Sequence, residues 1–261
     1  MNDMILILNY SDEFAVEAAK RLRGERVFCK IISGMTTAEQ VAEIAPRGLV
    51  LCGEPKSAAG VFDAEILKLD IPVLALGHAA HMLIAAMGGA CAGAAISEKK
   101  ANVQYADCKL FTGVEGGERY IQEAMTLMLP ADVQVTAGAG GCTVAFEDSK
   151  RSLFGVQFEL ERNDPDGSTI LKNFARDICG CTPWFTMDAA LAEARRALTE
   201  ASIEGGFAVC GVSGGVDSMV AAMLAHQAFG ERMTAIYVET GLMRAGEGAA
   251  VRAIYEQLGI P

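Results

Sequence analysis

Residues 213 to 218 read Ser-Gly-Gly-Val-Asp-Ser, two hydroxyls, two glycines and a carboxylate within six positions. The apolar run Phe207-Ala-Val-Cys-Gly-Val212 precedes them and a helical pattern from Met219 to Phe229 follows, so the sequence predicts a strand, a glycine turn and a helix start. Gly214 and Gly215 let the backbone turn tightly and approach a ligand, with successive N–H groups and the positive end of the helix dipole aimed at one anion. A phosphate is the anion implied. The residue order departs from the Walker loop, which carries a Lys-Ser/Thr pair after its second glycine, and this disfavours a kinase or GTPase. Taken alone, a Ser-Gly-Gly turn is often only a turn; all six positions in a strand-to-helix context outweigh that reading.

The preceding elements alternate between strand and helix. Met4 to Leu8 reads as a buried parallel strand, and Asp12 to Leu22, with Phe14, Ala18 and Leu22 at helical spacing, reads as the helix after it. Val27 to Ile32 is a second strand. Thr37-Ala-Glu-Gln40 matches a capping box opening a helix that ends at Pro46-Arg-Gly48. Gly48 to Cys52 and Pro72 to Leu76 are two more buried strands. From Cys91 to Phe158 short β segments with Gly-rich turns predict an antiparallel annex, and Gly167 to Cys179 predicts a helix. Gly180 to Thr186 breaks the periodicity and reads as a linker, after which Asp188 can cap a helix to about Ser202. Two α/β units in series are the economical account.

Composition narrows the classes. The chain has 261 residues, of which 51% are apolar, and a net charge of −11, against a nucleic-acid or anionic-membrane surface. Eight cysteines lie in apolar stretches without a CxxC pair, as reduced, packed thiols in a cytoplasm would. Cys179-Gly-Cys181 is the closest pair, and packing outweighs metal binding there because no histidine is near. No secretory leader precedes Met4, and no apolar run reaches the roughly 18 residues that span a bilayer.

The Ser213 to Ser218 loop resembles the signature of the PP-loop ATP pyrophosphatases, which split ATP into AMP and pyrophosphate. Together with Gly155-Val-Gln-Phe158, Arg176-Asp-Ile-Cys179, Cys181, Trp184 and Gly241-Leu-Met-Arg244, it makes the chain similar to the GMP synthase family along essentially its whole length. The resemblance implies an α/β fold: a class I amidotransferase-like (flavodoxin-like) mixed sheet with an antiparallel annex, then a partial doubly wound PP-loop domain of the adenine nucleotide α-hydrolase type. Residues 1–180 would be the amidotransferase-like domain, 181–187 a linker and 188–261 the opening of the pyrophosphatase domain. It assigns Ser213, Gly214, Gly215, Val216, Asp217 and Ser218 to the leaving pyrophosphate, and Val238 and Glu239 to the adenosine region. Asp217 either caps the helix or helps hold Mg²⁺. The family usually carries Val-Asp-Asn-Gly where this chain has Val238-Glu-Thr-Gly241. Arg244 reads either as a phosphate or partner contact or as a solvated cation.

The amidotransferase half departs from the family where its chemistry would sit. The nucleophile elbow has Gly77 at the cysteine's position, in Ala75-Leu-Gly-His-Ala79; glycine tolerates a strained elbow, so the turn can persist without the thiol. Glu159 stands at the general-base histidine and Glu161 at the third triad position. Glu54 stands at the oxyanion position, where a negative charge opposes acyl transfer. A rearranged dyad of Cys52 with His78 or His81 is conceivable, but packing is the simpler account of all three. Nor is the family's later Ser-His-Gly-Asp loop recognisable near Tyr120 to Met125.

The resemblance therefore implies a GMP synthase-type ligase of purine biosynthesis with an inactive glutaminase-like domain. ATP with Mg²⁺ would activate XMP, which is held partly by regions beyond these residues. Ammonia would arrive free or from a separate glutaminase, and the complete enzyme would be a cytoplasmic homodimer. The sequence stops at Gly259-Ile-Pro261, so by itself it is expected not to complete the reaction. A non-catalytic nucleotide-binding scaffold, or a PP-loop ligase for another acceptor, are the alternatives.

Overall fold

The computed structural model describes residues 2–10, 12–53, 62–158, 160, 165–241, 244 and 246–260, in two compact units, Met1–Phe185 and Thr186–Pro261. In the first unit the described elements run β1 (Asn2–Asn9), α1 (Asp12–Gly24), β2 (Cys29–Ser33), α2 (Ala38–Ile44), β3 (Pro46–Gly53), β4 (Val73–Gly77), α3 (His78–Ala86), β5 (Ala90–Tyr105), β6 (Gly117–Met128), β7 (Gln134–Ala139), β8 (Cys142–Asp148), β9 (Leu153–Val156) and α4 (Pro165–Lys172). They form one mixed sheet in the order β2-β1-β3-β4-β9-β8-β7-β5-β6. Strands β2, β1, β3, β4 and β9 are parallel; β8, β7, β5 and β6 continue the sheet antiparallel.

Residues 4 to 8 form an unbroken apolar run because this part of the sheet is covered on both faces. Ile5, Ile7, Val50, Cys52, Leu74 and Leu76 face a core shared with Ala15 and Leu22 of α1 and Ile170 and Leu171 of α4. Their alternates, Leu6, Leu8, Leu49, Leu51, Val73 and Ala75, face Val41 of α2 and Leu83 and Ile84 of α3. The capping box on α2 forms as expected: Gln40 N donates to Thr37 Oγ1 at 3.4 Å and Thr37 N to Gln40 Oε1 at 3.0 Å.

The helix expected over 167–179 instead divides into α4 and a π-helical turn, Asn173–Ile178, in which Cys179 N reaches back to Phe174 O at 2.9 Å. Buried Asn173 opens this widened turn and donates from Nδ2 to Leu110 O at 3.0 Å and Thr112 O at 2.8 Å. Residues 182–185 pack on the first unit. Thr182 donates from N and Oγ1 to the Asp3 carboxylate, and the Trp184 and Phe185 rings lie 5.5 and 5.1 Å from that of Phe28.

Close packing leaves no room for a side chain at Gly155 in the central sheet. A Cβ on Gly155 in β9 would stand 2.2 to 2.9 Å from the fully buried Phe146 ring. Gly155→Ala is expected to lower stability by about 1–3 kcal/mol through overpacking; urea unfolding of the two proteins measures it, and an unchanged midpoint contradicts it.

The second unit contains α5 (Met187–Ile203), β10 (Ala208–Val212), α6 (Val216–Phe229), β11 (Met233–Tyr237) and α7 (Glu247–Gln257). Thr186, rather than Asp188, caps α5, its hydroxyl accepting from Ala189 N at 3.3 Å; the helix starts one residue before Asp188, which places that carboxylate in the first turn. Strands β10 and β11 pair in parallel. One face packs on Ala222, Val251 and Tyr255. On the other, Val209 is 70% and Ile236 45% exposed, flanked by Phe207 and Val238. Parallel strands are ordinarily covered on both faces.

Candidate functional site

In the first unit the carboxyl ends of three adjacent strands converge. Gly53 at the end of β3 pairs with Gly77 at the end of β4, and Leu76 pairs with Val156 of β9. Gly77 joins β4 directly to α3 with φ 61° and ψ −130°, a region that a side chain makes costly. A Cβ there would lie 3.0 Å from Gly53 O. The bent elbow is thus built, and glycine is the residue that adopts it with least strain. On one side, Phe14, Leu76, Phe158 and Leu160 help enclose a cavity of only about 20 Å³ beside Gly77, room for about one water. Glu54, Glu159 and Glu161 lie outside the described residues.

Cys52 is fully buried one residue before Gly53, and burial pushes its thiol up to about 12. It stays protonated near neutrality and cannot act as the thiolate that a displaced Cys-His dyad requires. The two histidines bond to each other and to a glutamine instead. His81 Nδ1 lies 3.1 Å from His78 Nδ1, and His81 Nε2 lies 2.5 Å from Gln157 Oε1. Gln157 is the residue whose role sequence reasoning missed. Buried just past β9, it accepts from Met125 N at 2.8 Å and donates from Nε2 to Thr143 O at 2.7 Å and Met125 O at 3.2 Å. One side chain therefore joins β6, β8 and α3. The motif Gly155-Val-Gln-Phe158 was visible in sequence, but nothing in it distinguishes a structural hub from a chain position beside a base.

In the second unit the loop 213–218 lies between β10 and α6, as its flanking patterns predict. Neither Gly214 nor Gly215 has a positive φ, so the turn does not call for glycine through its dihedrals. Gly214 instead comes close to α7, where a Cβ would be 3.3 Å from Val251 Cγ2. The two serines brace the loop: Ser213 N donates to Ser218 Oγ at 3.1 Å, the hydroxyls lie 3.0 Å apart, and Gly215 N donates to Ser213 Oγ at 3.2 Å. Gly215 is the N-cap of α6 and no side chain caps this helix. Its first-turn N–H groups lack intrahelical acceptors, as at any helix start, and the loop is exposed. Asp217 is in the first turn rather than at the cap. Beyond β11, Glu239 lines a cavity of about 1010 Å³ with Tyr237, Arg252 and Glu256. Arg244 N donates to Glu247 Oε2 at 3.1 Å.

Among the described residues, no three His, Cys, Asp or Glu side chains converge as a metal site. Among the described residues, no helix is long and apolar enough to cross a membrane.

The NAD synthase family model matches residues 191–261. The chain is 33% identical over 272 aligned residues to the glutamine-hydrolysing GMP synthase of Clostridium perfringens, covering 98% of this chain and 52% of that protein. It is 32% identical to the GMP synthase of Caldanaerobacter subterraneus, covering 95% and 50%. It spans about half the length of these curated relatives. Among solved structures, a candidate GMP synthase subunit from Thermoplasma acidophilum superposes with a TM-score of 0.60 at 20% identity, covering 67% of this chain and 93% of that one. A glutamine amidotransferase from Thermotoga maritima gives 0.52 at 13% identity, covering 69% and 99%.

Fold and comparisons together define a class I glutamine amidotransferase-like fold followed by part of a PP-loop domain. The chain is similar to GMP synthases over almost all of its own length.

Proposed function

We propose that this chain is the amidotransferase-like and ATP-cleaving part of an ammonium-dependent GMP synthase-type ligase whose glutaminase site is inactive. The domain limits are 1–180, 181–187 and 188–261. In the complete enzyme, ATP adenylylates O2 of XMP with release of pyrophosphate; ammonia then displaces AMP to give GMP. Ammonia comes from solution or a separate glutaminase, and the enzyme is a cytoplasmic homodimer.

The observation that carries this reading is the Ser-Gly-Gly-Val-Asp-Ser loop, braced by its own serines in front of a helix that no side chain caps. The first-turn N–H groups of α6 and its dipole suit a phosphate group. Ser213 and Ser218 hold the loop in the shape that presents those groups, and glycine at 214 and 215 keeps side chains out of the approach. Asp217 would repel a bare phosphate, which fits a carboxylate that holds Mg²⁺; the cation would neutralise part of the phosphate charge. Val238 and Glu239 would meet the adenosine.

Isothermal titration of the chain with ATP and Mg²⁺ tests the reading. Saturable binding is expected, weakened at least about tenfold, or ~1.4 kcal/mol, by Asp217→Ala and by Ser213→Ala. The same titration without Mg²⁺ should resemble the Asp217→Ala result. Absence of binding would favour the non-catalytic scaffold, and equal affinity in all three proteins would remove the loop from the site.

A further inference from the structure

A second cavity, in the first unit, has a lining of a different kind. It measures about 470 Å³, within the ~300–1,000 Å³ range usual for small-molecule sites. Phe62, Met82, Ala86 and Met125 supply apolar surface, and the His78 and His81 side chains complete much of the rest. No carboxylate, lysine or arginine belongs to this described lining.

The hydrogen bonds fix what the histidine nitrogens can do. Gln157 Nε2 donates to two backbone carbonyls, Thr143 O and Met125 O, which orients the amide and makes Oε1 the acceptor. His81 Nε2 must then carry the proton it gives to Gln157. Burial holds both histidines below the ordinary imidazole value, although the Glu123 carboxylate acts on each in the opposite sense. In the neutral pair, His81 Nδ1 is therefore an acceptor and His78 Nδ1 donates to it. That leaves Nε2 of His78 as an acceptor on a ring that lines the cavity.

We propose that this cavity binds an uncharged, largely apolar, ring-sized molecule that offers one hydrogen-bond donor to His78 Nε2. A zwitterion such as glutamine is a poor match, because its ammonium and carboxylate would meet no opposite charge among the described lining residues and would lose their hydration. The inference is independent of nucleotide binding in the second unit and survives its failure.

The test uses the intact chain with indole as probe, beside benzothiophene, which has nearly the same shape without the N–H donor, and glutamine. Titration calorimetry should show indole binding about tenfold tighter than benzothiophene, a difference of ~1.4 kcal/mol for one hydrogen bond. Glutamine should show no heat of binding. Ala86→Phe, which fills the cavity, should abolish both aromatic ligands, and His78→Phe should make them equal. Nitrogen-15 spectra of the wild-type histidine rings give a readout that needs no variant: His78 should be the Nδ1–H tautomer, and indole should shift its Nε2 signal. Failure of indole to bind, equal affinity for the two aromatics, binding that persists in Ala86→Phe, or a His78 protonated at Nε2 would each overturn the proposal.

Discussion

Gln157→Leu is expected to destabilise the first unit by about 3–5 kcal/mol, several times the effect of an ordinary surface change. Leucine is similar in size, so the loss comes from hydrogen bonding rather than volume. The glutamine amide, only 2% exposed, serves Met125 N, Met125 O, Thr143 O and His81 Nε2. Removing it leaves four polar groups short of a partner, each worth about 1–3 kcal/mol when buried and unsatisfied, with partial relief as water enters. Gln157→Glu separates the roles, because a carboxylate accepts from His81 and Met125 N but cannot donate to the two carbonyls. It should fall between wild type and leucine at neutral pH. Chemical unfolding followed through the first unit measures all three. A leucine variant within 1 kcal/mol of wild type would show that the amide does not join β6, β8 and α3 in solution.

Much of this architecture is legible in the sequence where burial is two-sided. The runs 4–8, 48–52 and 72–76 read as parallel strands because both faces of β1, β3 and β4 meet apolar helices. The Thr37 and Gln40 box is legible because both partners are local. What was not legible depends on distant groups. The π-helical turn at 173–178 accompanies hydrogen bonds from Asn173 to carbonyls sixty residues away, which helical periodicity cannot anticipate. The stretch 180–186 lacks a period in sequence, and the contacts of its residues 182–185 with Asp3, Arg26 and Phe28 are likewise distant in the chain. At the 213–218 loop the expected strand, turn and helix are present, but Gly214 serves close approach to α7 rather than a left-handed turn, and Gly215 has no positive φ either. In the first unit, the expected elbow at Gly77 is present as a sharp bend between β4 and α3, at φ 61° and ψ −130°.

Glutamate release from glutamine is expected to stay at background in the wild-type chain and in Gly77→Cys alike. A triad works as a unit, and losing its nucleophile or its base alone removes up to about 10⁶ in turnover. Cys52 cannot substitute, since it is enclosed in the core and its thiol is pushed up to about 12. His81 has both ring nitrogens engaged, by His78 and by Gln157, and His78 lines a different cavity from the one beside Gly77, so neither is paired with a nucleophile there. Restoring cysteine at position 77 brings back a thiol but places a Cβ 3.0 Å from Gly53 O at a positive φ, at a cost of about 1–3 kcal/mol in stability. On the family resemblance it also leaves Glu159 at the general-base position and Glu54 at the oxyanion position, the assignments on which the proposed inactivity rests. The single variant should therefore melt earlier and remain inactive. Gly77→Cys combined with Glu159→His and Glu54→Gly is the smallest set from which hydrolysis could return. Enzymatic glutamate release by the wild-type chain, at about 1 s⁻¹ or faster, would mean that another nucleophile serves the elbow and would overturn the proposed dependence on added ammonia.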